Sequence, residues 1–156
     1  MDDESRFLAS AVGLGLLAVG HAAITWGPAA AGRFALVAVA VAFVAEVAVI
    51  RAGLLVHHTT PTVAGVPLAA LAGWAGAIYL SSRVAALVVP PSVVPLAAAL
   101  LATATNVLSD PQGVENGLWT YPPSRLSRPR YRAVPWWNFV GWFVLTAVVS
   151  WLGAPT

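Results

Sequence analysis

Five apolar runs, separated by polar or proline-containing breaks, constrain this chain more than any other feature. They cover about residues 7–26, 34–56, 66–89, 92–108 and 135–152. A helix needs roughly 20 apolar residues to cross the hydrocarbon of a bilayer, and the runs are of that order. Within hydrocarbon every backbone N–H and C=O must be satisfied internally, which favours helices over isolated strands. With 59% hydrophobic and only 9% charged residues, the chain lacks the charge a soluble domain of its size would use to cover itself. The sequence therefore predicts an all-α fold, a polytopic transmembrane helix bundle of about five spanning helices. A single domain over 1–156 is expected, with one polar loop at 109–134. Asp2, Asp3 and Glu4 ahead of the first run argue against a cleaved signal peptide, which would begin with positive charge. No stretch reads as a convincing repeat of another.

Lysine and cysteine are both missing, and all eight basic residues are arginine. That excludes Schiff-base chemistry, a phosphate-binding lysine loop, thiolate metal sites and cysteine nucleophiles. The arginines lie beside apolar helices, where anionic lipid headgroups are the natural counterions, so nucleic acid is not an expected partner and the lipid bilayer is. Along a five-helix path, Arg6, Arg51, Arg125, Arg128, Arg130 and Arg132 fall on one side and Arg33 and Arg83 on the other. This asymmetry predicts a multi-pass protein of the cell membrane, with the N-terminus and loop 109–134 in the cytoplasm.

A few polar residues stand out against the apolar background. Glu46 falls inside the second run, where an ionised carboxylate costs about 2.5–3.5 kcal/mol on insertion scales. It must be protonated, partnered or facing a polar cavity, serving either as helix-packing glue or as a proton donor. His57 and His58 are adjacent, so on a helix they would diverge by about 100° and make a poor metal pair. Interfacial hydrogen bonding, or the lining of a polar mouth, suits them better, and no metal or other cofactor is expected. His21 reads as a hydrogen-bonded bundle histidine, and Thr105 and Asn106 as polar groups near the mouth or as packing. Trp136, Trp137, Trp142 and Trp151 fit an interfacial aromatic belt. Trp119 and Tyr121 lie instead in the loop near Asp110 and Glu115, where their faces can hold a polyene or stabilise a cation. The loop arginines give the topological signal and can also meet lipid or substrate phosphates.

A more specific pattern runs through these residues. Its front half is Glu46-Val-Ala-Val-Ile-Arg-Ala-Gly53, then His57-His58 and Gly65-Val66-Pro67. Its back half is Asp110-Pro111, Gly117-Leu-Trp119-Thr-Tyr121 and Tyr131-Arg-Ala-Val-Pro135-Trp-Trp-Asn138-Phe-Val-Gly141-Trp142. In order and spacing, over about 43–143, this resembles the carotenoid biosynthesis membrane family that includes bisanhydrobacterioruberin hydratase and the related carotenoid hydratases. The chain departs from that pattern in carrying fewer helices before Glu46 and in having Asn106 where an aspartate is expected. The resemblance implies cofactor-independent hydration of a terminal C=C bond of an acyclic carotenoid, giving a tertiary alcohol. Glu46 would donate the proton and a more exposed Asp110 would orient the water or take up its proton. Trp119, Tyr121, Asn138, Trp142, His57, His58 and Asn106 would surround the substrate. Other carotenoid-pathway membrane enzymes are expected partners. Two other readings stay open: a non-catalytic carotenoid-binding or pathway-partner subunit, and a small transporter.

Overall fold

The structure, a computed structural model, describes residues 2–153. Five helices carry the fold: α1 (Asp3–Trp26), α2 (Pro28–Arg51), α3 (Leu68–Ala85), α4 (Val94–Glu115) and α5 (Trp136–Gly153). All five are long and apolar enough to cross a membrane, as the sequence predicts. The connections between helices hold six two-residue strands: β1 (Val56–His57), β2 (Thr62–Val63), β3 (Val66–Pro67), β4 (Trp119–Thr120), β5 (Arg130–Tyr131) and β6 (Val134–Pro135). They pair antiparallel as β1 with β4, β2 with β3, and β5 with β6.

Helix ends differ from the expected ones for local reasons. α1 begins at Asp3, ahead of its apolar run, because the Asp2 carboxylate caps it by accepting the Ser5 N–H at 2.8 Å. That bond from Ser5 holds the Asp2 carboxyl below its ordinary range. Gly27, at φ +85°, turns the chain between α1 and α2, and Pro28 starts α2 where a missing N–H costs nothing. Arg33 therefore lies inside α2 and does not open it. α2 stops at Arg51, short of the expected 56, because Gly53 at φ +69° closes the helix. α3 is trimmed at both ends, to Leu68–Ala85, by the β2–β3 hairpin before it and a reversed turn after it, in which Leu87 N–H reaches Val84 O. α5 starts at Trp136, one residue late, since Pro135 pairs in β6.

The largest correction concerns α4, which runs on through the polar stretch to Glu115 with Pro111 inside it. Residues 109–115 are thus helix, and the loop is 116–135. Burial drives this extension: Asp110, Pro111 and Gly113 face the bundle, and Asp110 finds hydrogen-bond partners there.

α3 lies at the centre, packed against each of the other four helices. Small residues set its distance from α1. A Cβ added at Gly15 would lie 2.7 Å from Ala72 O, one at Gly73 3.0 Å from Ala11 Cβ, and one at Gly76 2.7 Å from Leu14 Cγ. Such close approach is how helices associate in a lipid-like environment, where apolar side chains alone supply no drive. Leu16, Leu17, Ile24, Leu36, Leu100 and Trp151 project outward as the apolar surface a bilayer would meet.

The start of α1, the ends of α2 and α4 and the starts of α3 and α5 gather at one end of the bundle. Thr60 N–H there donates to Glu4 Oε1 at 3.2 Å, and β1 pairs with β4. The N-terminal residues and the long loop therefore share a face, in keeping with the expected topology.

Candidate functional site

Below this end the bundle encloses a cavity of about 720 Å³. Its walls come from α1 (Phe7, Ser10, Leu14), α3 (Gly73, Trp74, Ala77) and α4 (Asn106, Asp110, Gly113), with Glu46, His57, Trp119, Tyr121, Asn138 and Trp142 completing it. α1 and α4 both pack on α3 but not extensively on each other, so the cavity lies in the cleft between them.

Glu46, near the last turns of α2, is only 2% exposed, and its Oε2 lies 3.1 Å from His57 Nε2. His57 gets there on a strand. Antiparallel pairing of β1 with β4 sets His57 opposite Trp119, and alternation along a strand sends His57 inward and His58 outward. The sequence expectation joined the two histidines in one mouth. The structure separates them, with His58 exposed, bonded to Thr120 Oγ1 at 3.1 Å, and outside the cavity.

Asp110 is also buried, at 6% exposure, so both carboxyls lie inside the bundle and Asp110 does not have the open loop position expected of it. Its Oδ2 accepts from the Tyr121 hydroxyl at 2.8 Å and from Asn138 Nδ2 at 3.1 Å. The same Nδ2 donates to Asn106 Oδ1 at 3.0 Å, which binds α4 to α5. Burial, followed by the negative charge of the Asp110 carboxyl, pushes the Tyr121 phenol well above its ordinary range. Tyr121 therefore remains a donor.

Aromatic rings close the site. Trp119 lies edge-on to Phe7 at 5.7 Å and to His57 at 6.1 Å, and its ring occupies the space where a side chain at Gly113 would be. Tyr121 packs edge-on against Trp137 at 5.6 Å, and Trp142 lies tilted against Trp74 at 5.1 Å. His57 Nδ1 and Trp119 Nε1 are buried without a hydrogen-bond partner among the described residues. Such atoms normally meet a water or a ligand.

Every residue that the resemblance assigns to the site, except His58, lines this cavity. Phe7, Trp74 and Gly113 also belong to it; sequence reasoning missed them because Phe7 and Trp74 read as ordinary helix-packing material and Gly113 as a loop glycine. His21 instead pairs with the Tyr79 hydroxyl at 2.6 Å, well away from the carboxyls, beside the Trp26, Phe34 and Tyr79 cluster. Arg130 has a structural task. It donates to the carbonyls of Ser127 (3.0 Å), Tyr121 (2.9 Å) and Pro122 (2.9 Å) and so holds the loop in shape.

Chemically, two buried carboxyls with unlike partners can divide proton donation and proton acceptance between them. Glu46 shares a proton site with an imidazole, whereas Asp110 is an acceptor for two donors on one oxygen. Glu46 and His57 would make half of a metal site, but no group of three or more His, Asp or Glu side chains forms among the described residues. Comparisons with protein-family models, with curated proteins and with solved structures return no match.

Proposed function

We propose that this protein hydrates a terminal C=C bond of an acyclic carotenoid, without a cofactor, inside the cell membrane. One observation carries the reading: α2 and α4 each deliver a buried carboxyl to a single aromatic-walled cavity that lies in a cleft between apolar helices. A long polyene can insert its end there and leave the rest of its length among the lipid chains. Hydration then needs only a proton, a way to tolerate a cation, and one water.

In this scheme the Glu46 carboxyl gives its proton to the less substituted alkene carbon. The π pair forms the new C–H bond and leaves a tertiary cation facing Trp119 and Trp142. Water adds to that cation and loses a proton to Asp110, which Asn138 and Tyr121 hold in place. Return of one proton to Glu46, through His57 or a water, restores the starting state, so the net change is addition of one water. The end of the bundle bearing loop 116–135 faces the cytoplasm, following the arginine asymmetry. Other membrane enzymes of carotenoid synthesis supply the polyene.

The test is expression in a host that makes the acyclic precursor, followed by mass analysis of its pigments. The reading requires a pigment heavier by one water, and its loss in Glu46→Gln protein that still accumulates in the membrane. If the unaltered chain binds polyene but yields no hydroxylated product, it is a carotenoid-binding or pathway-partner subunit.

A further inference from the structure

α2 and α4 end in the same way. Gly53 N–H bonds to Ile50 O and Leu54 N–H to Val49 O; Gly117 N–H bonds to Val114 O and Leu118 N–H to Gly113 O. Both glycines are left-handed, at φ +69° and +71°. Seven residues before each glycine stands a carboxyl, Glu46 or Asp110. In each case the group that hydrogen-bonds it, His57 or Tyr121, follows eleven residues after it.

The likeness continues into the next helix. β2–β3 and β5–β6 are hairpins of the same register, Thr62 with Pro67 and Arg130 with Pro135. Each leads into an 18-residue helix through one bond, Leu68 N–H to Pro61 O or Trp136 N–H to Pro129 O, both 3.1 Å. Counted from these hairpins, Trp74 matches Trp142 and Ser82 matches Ser150. Matched residues also touch each other. The Trp74 and Trp142 rings lie 5.1 Å apart, the Ser82 and Ser150 Oγ atoms 2.8 Å apart, and Val56 pairs with its counterpart Thr120. A residue that meets its own counterpart sits on a two-fold axis. Because α2 and α4 run toward the same end of the bundle, this axis lies along the helices.

An axis of this kind creates two equivalent grooves, one between α3 and α4 and one between α2 and α5. The first is the 720 Å³ cavity, and the second retains only about 80 Å³. Counterparts explain the difference: Val49 stands for Gly113, Leu145 for Ala77 and Trp137 for Ala69. We infer that the chain is a tandem duplicate of a helix–hairpin–helix unit, with one of its two grooves kept open for an elongated apolar ligand and the other filled in. α1, outside the repeat, walls the open groove. Ala77 lies nine residues into α3, roughly 14 Å below the loop end at 1.5 Å per residue, so it marks the depth the ligand reaches. The ligand part of this inference rests on the function proposed above; the duplication does not.

Two measurements test the parts separately. The chain has no cysteine, so Ser82→Cys with Ser150→Cys should cross-link within one chain under mild oxidation, whereas Leu80→Cys with Ser150→Cys should not. Failure of the matched pair to cross-link overturns the axis. For the ligand, protein purified from lycopene-producing cells should retain lycopene. Ala77→Leu, which copies Leu145, should lower retention by about tenfold or more through overpacking of the groove. Leu145→Ala should leave retention unchanged. The serine-pair cross-link, repeated in the Ala77→Leu background, shows that this variant is folded. Undiminished lycopene in a cross-linkable Ala77→Leu protein, or a protein that cross-links yet never retains lycopene, overturns the ligand assignment while the duplication stands.

Discussion

Tyr121→Phe removes a single oxygen from the site and leaves the ring in its packing against Trp137, Leu55 and Val134. The hydroxyl donates at 2.8 Å to an Asp110 carboxyl that is 6% exposed, so water cannot easily replace it. Interhelical hydrogen bonds inside membranes contribute on average only about 0.6 kcal/mol, because the unfolded state finds partners too. A bond to a charged acceptor is worth about 1.5–3 kcal/mol. Asn138 Nδ2 stays on the same oxygen and offsets part of the loss, which brings the expectation to about 1–2 kcal/mol for the Tyr121–Asp110 pair. The quantity to measure is the coupling energy from a double-mutant cycle of Tyr121→Phe and Asp110→Ala, read from unfolding by SDS in mixed micelles. A coupling at or below about 0.3 kcal/mol, within the error of additivity, would refute the claim that this hydrogen bond ties the loop to α4.

On the proposed function, Asp110→Asn should slow hydration by about a hundred- to ten-thousand-fold, the usual contribution of a general acid or base, as measured from hydroxylated pigment formed per unit of membrane protein. Gly113→Ala should destabilise the protein by about 1–3 kcal/mol in the same SDS titration, since the new methyl would collide with the Trp119 ring. Gly15→Ala, which sets a methyl 2.7 Å from Ala72 O, should cost a similar amount, while Gly20→Ala, with nothing within 4 Å, should not weaken the bundle. Reporter fusions after Arg125 should mark the cytoplasm and fusions after Gly153 the opposite side; the reverse pattern would invert the topology.

The spanning segments were legible because bilayer thickness imposes a length and hydrocarbon imposes a composition, and both leave a direct trace in the sequence. Helix ends were less so. Arg33 looks like a boundary by charge, yet the real one is the left-handed Gly27 followed by Pro28. Residues 109–115 look like loop because they combine Asp110, Pro111 and Gly113, and they stay helical only through tertiary contacts that no local pattern encodes. Within the site, Glu46 was visible because a carboxyl in an apolar run needs a reason. Phe7 and Trp74 were not, since an aromatic in such a run needs none, and neither was Gly113, since a glycine in an expected loop needs none either.

The repeat was hidden for a physical reason as well. Lipid-facing and helix-packing positions accept almost any apolar residue, so two copies can drift apart until only closures and axis contacts remain alike. Their loops drifted too, with Gly53 eight residues from Pro61 and Gly117 twelve from Pro129, which spoils any single alignment offset. What drift left unequal is informative about chemistry. The first copy has Ala42 and Ala70 where the second has Asn106 and Asn138, and those two asparagines are the pair that hydrogen-bond around Asp110. Glu46, with alanines in their place, keeps His57 as its one hydrogen-bond partner among the described residues. A symmetric site would hold two interchangeable carboxyls, each as good a donor as acceptor. Giving one of them the Asn138 NH2 group, which can only donate, and the other an imidazole ring nitrogen, which can do either, breaks that equivalence. Addition of water across a double bond needs this asymmetry, because the proton must be delivered at one carbon and removed from the oxygen that attacks the other.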